Sequence, residues 1–134
     1  MNKTIKVKNA DVISMIIPAY VQMKRSLLPT RVMYKVIKTI DPLIKAGEEY
    51  DKLRFSILNA KCIKDENGSP VFDENNNYKF ESEEITNDVY TVLGEILNEE
   101  AEVTVYPIQF NDIADIVLDA NTLECLIKNE LITE

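Results

Sequence analysis

The sequence predicts a mixed α+β fold: an antiparallel helical hairpin plus a third helix, a small antiparallel β-sheet and a β-hairpin, and two short C-terminal helices. Three observations carry that expectation. Apolar residues recur at spacings of three and four over roughly residues 10–25, 32–62 and 85–97, which is the period of a helix buried along one face. Short β-prone stretches stand at Thr4–Lys8 and Val103–Tyr106, as half-buried strands require. Capping and turn residues punctuate the chain between them. With 134 residues and only three Gly and five Pro, the chain has the size and composition of one domain, residues 1–134.

Thr4-Ile5-Lys6-Val7-Lys8 alternates polar and apolar and reads as an edge strand with lysines on its exposed side. Asn9 is expected to cap the first helix, whose stripe is Val12, Ile13, Ile16, Ile17, Tyr20, Val21 and Met23. Pro18 removes a backbone donor inside that pattern, so a kink or a restart near Ile17 is expected. Residues 26–30 make a tight connection, and Thr30 is placed to cap a long second helix that keeps its period as far as Cys62. Asp41-Pro42 and Ala46-Gly47 leave two forms open, one kinked helix or two nearly collinear ones.

Lys64–Glu84 is crowded with acids, amides and the turn pair Asn67-Gly68. Asp65–Gly68 reads as the stop of the long helix. Val71–Phe80 reads as a β-hairpin around an Asn-rich loop, and Phe72 and Phe80 need a surface to pack on. The same residues partly match a calcium loop, with Asp73, Asn75, Asn77, Glu81 and Glu84 at ligand positions. Tyr78 stands where such a loop needs Gly, and no helix leads into it, so the hairpin is preferred and no metal is expected. Ser82 then caps a third helix whose first turn is acidic. Val103–Tyr106 is the natural partner of the first strand, with Glu100 and Glu102 facing its lysines. In the tail, Asn111 is read as the cap of a helix over residues 112–118, and Asn121 as the cap of the last helix.

Charge is strongly segregated. Residues 1–64 hold 13 Lys/Arg against 5 Asp/Glu, and residues 65–134 hold 2 against 18. Net charges of +8 and −16 follow, the signature of electrostatic docking within the chain or on partners. Lys24, Arg25, Arg31, Lys35 and Lys38 form a candidate basic patch at the turn of the hairpin. Read without interleaved aromatics for stacking, this patch makes nucleic acid an unexpected partner. Cations at 31, 38, 45 and 52 share one side of the second helix, and the nearby Asp41, Glu48 and Glu49 are expected to pair with the lower ones. Glu81, Glu83, Glu84, Glu95, Glu99, Glu100 and Glu102 make a candidate acidic face. Phe110, Ile113, Leu123, Leu126, Ile127 and Leu131 make an apolar tail that covers either this chain's own core or a partner subunit.

The chain has no histidine, so the commonest general base and zinc ligand is missing, and a non-enzymatic protein without cofactors is expected. Cys62 and Cys125 stand alone among apolar neighbours and read as buried reduced thiols. Neither a membrane-spanning run nor a signal-peptide core is visible, which places the expected location in the cytoplasm.

The succession of Lys6-Val7-Lys8-Asn9 into a helix, an Arg31-led basic helix, Asp65-Glu66-Asn67-Gly68, a second acidic-amide turn, an acidic helix and Glu102-Val103-Thr104-Val105 resembles a family of small tailed-bacteriophage and prophage proteins of unknown role. The likeness spans residues 3–106, leaving 107–134 as a C-terminal helical extension. The resemblance implies a phage protein, in the host cytoplasm or the virion; together with the absent histidine and the apolar tail it leads to the expectation of a chain acting through protein contacts in virion structure or assembly, with itself or a larger phage assembly as partner. The alternative is an acidic accessory protein that inhibits a host or defence factor.

Overall fold

A computed structural model describes residues 1–134 as a mixed α+β chain with four helices and small sheets. Strand β1 (Lys3–Lys8) pairs antiparallel with β2 (Glu100–Val105), in a register that sets Ile5 opposite Val103 and Lys6 opposite Glu102. Alternation puts Ile5, Val7, Val103 and Val105 into the core, each burial contributing about 1.5–3 kcal/mol. The outer face keeps the lysine-to-glutamate facing that the sequence predicts, and the Thr4 and Thr104 hydroxyls lie 3.3 Å apart.

Helix α1 follows without a loop, in three consecutive segments: Asn9–Asp11, a π-helical Val12–Ile16, and Ile17–Lys24. The π turn lies directly before Pro18. Proline cannot donate to the Ser14 carbonyl, and its ring would strike that group in a regular helix, so the wider turn lets the chain pass. The Ile17 N–H accordingly reaches five residues back, to the Val12 carbonyl. Asn9 is not the cap of this helix. Its backbone N–H and side-chain Nδ2 instead donate to the Glu99 and Ile96 carbonyls, each at 2.9 Å, satisfying the far end of the third helix.

Helix α2 (Thr30–Lys61) is continuous through Pro42, about 48 Å long at 1.5 Å per residue. Val32, Val36, Thr39, Ile40 and Leu43 form its buried stripe. At its crossing with α1, a Cβ on Gly47 would stand 3.1 Å from the Ile17 Cδ1, so Gly permits the close approach. Thr39, fully buried, accepts a 2.8 Å hydrogen bond from the Tyr106 N–H and has the Tyr106 carbonyl 3.5 Å away. That clamp fixes the path of the chain as it leaves β2. The helix ends at Lys61, earlier than Asp65–Gly68, because Cys62 turns extended and Ile63 is drawn into pairing with the segment that follows.

Residues 63–80 form two turns of the same build, eight residues apart. Asp65 Oδ1 accepts from the Asn67 and Ser69 N–H groups, and Asp73 Oδ1 accepts from those of Asn75 and Asn77. The left-handed positions are equivalent too, Gly68 at φ 79° and Asn76 at φ 62°. The turns meet in a closed ring: Ile63 N–H donates to Lys79 at 2.8 Å, Lys79 N–H to Val71 at 3.0 Å, and Val71 N–H to Ile63 at 2.9 Å. The single hairpin expected from sequence is therefore the second of two, its Phe72–Tyr78 bridge retained and a Lys64–Pro70 bridge closing the first. Phe72 packs against Tyr78 with centroids 4.8 Å apart and the rings tilted by 58°. Tyr78 and Phe80 pack on a small second core of Leu58, Val89, Leu93 and Ile96.

Helix α3 (Glu83–Asn98) begins where predicted, the Ser82 hydroxyl accepting from the Ile85 N–H at 3.1 Å. The tail departs from expectation. No helix forms over residues 112–118; β3 (Ile108–Gln109) runs into a single 3-10 turn, Phe110–Ile113, and then into irregular chain. Helix α4 (Ala120–Lys128) is capped by Asp119 rather than Asn121, through 2.8 and 3.0 Å bonds from the Thr122 N–H and hydroxyl. Those bonds hold the Asp119 carboxyl below its ordinary pKa. After a reversal at Glu130, β4 (Ile132–Thr133) pairs parallel with β3. Ile108, Ile113, Leu126 and Leu131 join the 19-residue main core, so the tail supplies part of the fold's interior.

Candidate interaction surfaces

Lys24 closes α1, Arg25 follows it, and Arg31 opens α2, so three predicted basic-patch residues share the turn end of the hairpin; Lys35 and Lys38 continue along α2. All but Lys35 are exposed. The patch does contain an aromatic that the sequence reading passed over. Tyr34 is 55% exposed, with Lys38 Nζ 5.8 Å from its centroid and Tyr106 packed edge-on at 6.3 Å.

All seven acids of the predicted acidic face are exposed, but they do not share one element. Glu83, Glu84 and Glu95 project from α3, Glu81 precedes it, and Glu99, Glu100 and Glu102 run from its end into β2. The expected pairing on α2 is also absent: the one ion pair in the chain joins Lys3 to Glu130. Fifteen basic and 23 acidic side chains thus leave almost all their charge unneutralised by direct contact.

Of the two readings of the apolar tail, most of its residues follow the one that covers this chain's own core. Ile113, Leu126 and Leu131 are buried in the main core and Leu123 is half-buried, because β3–β4 pairing and α4 fold this segment inward. Only Phe110 and Ile127 stay exposed, beside a shallow cavity of about 680 Å³ shared with Ile132 and Glu130. The calcium set does not assemble. Asp73 spends Oδ1 on its own turn, Glu84 belongs to the first turn of α3, and no three His, Cys, Asp or Glu side chains come together as a cluster that could hold a metal. Cys62 and Cys125 are both free and buried, and burial raises the Cys125 thiol's pKa.

Two features were not singled out in the sequence. Leu27, at the hairpin turn, is fully exposed. An apolar groove of about 590 Å³ opens between the end of α2 and α3, floored by Ile57, Ala60, Ile85, Val89 and Val92, with Lys61, Glu81 and Asp88 at its polar positions. The signal for the first was present in Leu27-Leu28-Pro29, apolar residues in a loop too short to hide both. The groove had none, since its lining comes from two helices far apart in sequence. No helix is long and apolar enough to cross a membrane. No protein-family model, curated protein or solved structure matches this chain.

Proposed function

We propose that this chain works through protein–protein contacts, without catalysis, as a structural or assembly component of a tailed bacteriophage, made in the host cytoplasm and carried into the virion. The observation that carries the reading is the unspent charge: a basic hairpin end and an acidic α3 region, with a single ion pair in the whole chain. Segregated, exposed charge of this kind steers a partner and fixes its register, while each surface charge adds little to the stability of the fold itself. The likeness of residues 3–106 to phage proteins supplies the setting. Mass spectrometry of purified particles and assembly intermediates is the test. The expected result is the chain present at a defined copy number; its absence from every particle and intermediate overturns the reading.

The exposed Glu83 and Glu84 at the start of α3 favour one alternative, inhibition of a host or defence factor that binds phosphates. Salt-sensitive capture of such a factor, lost in Glu83→Lys/Glu84→Lys, is the result that would replace the assembly role.

A further inference from the structure

The exposed Leu27 and the α2–α3 groove lie at opposite ends of one long helix, and we infer that they fit each other in successive copies of this chain. Leu27 stands immediately before α2, in the turn that leads to Thr30. The groove is floored by Ile57 and Ala60 at the far end of the same helix, together with Ile85, Val89 and Val92 of α3. About 45 Å of helix separates them, so one chain cannot bring its own knob to its own groove. A second copy can, in a head-to-tail contact.

Charge selects this occupant. Lys24, Arg25 and Arg31 lie within four residues of the knob along the chain and are all exposed, and the adjoining 110–116 turn brings Asp112 and Asp115 beside it. Around the groove the signs are exchanged: Glu81 and Asp88 answer the cations, and Lys61 answers the aspartates. None of these eight side chains has an ion-pair partner inside the chain. A fully exposed leucine, at an end of the hairpin carrying three cations and two acids, is matched on the same molecule by an apolar groove carrying two acids and one cation. Such a contact is heterologous: it does not close at two copies but continues into a ring or a filament, according to the rotation between neighbours. The inference rests on the protein-contact reading above and names its partner as this chain itself.

Light scattering on size-exclusion fractions of the purified full chain, over rising concentration, provides the test. The wild type is expected to grow beyond two copies. Leu27→Asp spoils the knob and Val92→Arg spoils the groove, both at exposed positions, and each is expected to weaken association by about ten- to a hundredfold, the worth of one buried aliphatic side chain. An equimolar mixture of the two retains one good knob and one good groove and is expected to stop at exactly two chains. Circular dichroism checks that each variant is folded; Leu27→Ser and Asp88→Lys replace any that is not. A wild type that stays monomeric at every concentration, or a mixture that remains monomeric, overturns the inference. Assembly that persists unchanged in both variants also overturns it, while leaving the protein-contact reading intact.

Discussion

Tyr20 is the most exacting place to test the packing described above. Its ring is fully buried in α1, and its hydroxyl is the one buried side-chain polar atom without a hydrogen-bond partner. An unsatisfied buried hydroxyl costs about 1–3 kcal/mol. Tyr20→Phe removes that cost and leaves a void of roughly 10 Å³, worth about 0.2 kcal/mol against the variant. A net gain of about 1–3 kcal/mol follows, or about 3–10 °C in Tm for a chain of this length. Alkaline pH adds an independent reading. Burial raises the Tyr20 pKa above its ordinary value of 10.0, so the unfolded chain releases this proton while the folded chain keeps it. The contribution is fully present below pH 10 and falls by about 1.4 kcal/mol per pH unit above it, until the folded pKa is reached. Phenylalanine has no such loss, so the advantage of the variant widens above pH 10. Urea unfolding of both proteins at pH 7, 10 and 11 measures it. A variant less stable at pH 7, with a constant gap at pH 11, would show that the hydroxyl is bonded in solution and refute the argument.

Thr39→Val leaves the Tyr106 N–H without its acceptor in the core, and calorimetry is expected to show a loss of about 1–3 kcal/mol at nearly constant volume. Gly94→Ala adds a Cβ with no atom within 4 Å inside α3, and should raise stability by about 0.5–1 kcal/mol in chemical denaturation. Gly68→Ala, at φ 79°, should lower it by about 1 kcal/mol, whereas Asn76→Gly, at the equivalent turn position, should be neutral or slightly stabilising. Chelator should leave Tm unchanged, since Asp73 is committed to its own turn; a drop restored by calcium would reinstate the metal site.

Local periodicity made much of this fold readable. The alternation of residues 4–8, the Ser82 cap and the stripes of α1, α2 and α3 are each dictated within a few residues, and the structure contains them. Long-range choices were not readable in the same way. Asn9 has the right chemistry for a cap, but the carbonyls at the end of α3 compete for it across the domain. Phe110–Leu118 has helical spacing, yet parallel pairing of Ile108 with Ile132 pulls its start into extended backbone. The basic patch was visible as composition, while the groove that answers it depends on bringing α2 and α3 side by side, which no local pattern encodes. The eight-residue repeat of the turns lay open in Asp65-Glu66-Asn67 and Asp73-Glu74-Asn75; its meaning required the ring that joins them.

That ring separates what must be conserved in shape from what is free to vary. Ile63 leaves α2 and Lys79 approaches α3, and the bond between them ties the two helices together at the base of everything in between. The tips at Asn67-Gly68 and Asn75-Asn76 belong to neither core, and every residue at them is exposed. A foreign peptide spliced at either tip would therefore ride outside the closed base, making this segment a ready display site that leaves both helices tied.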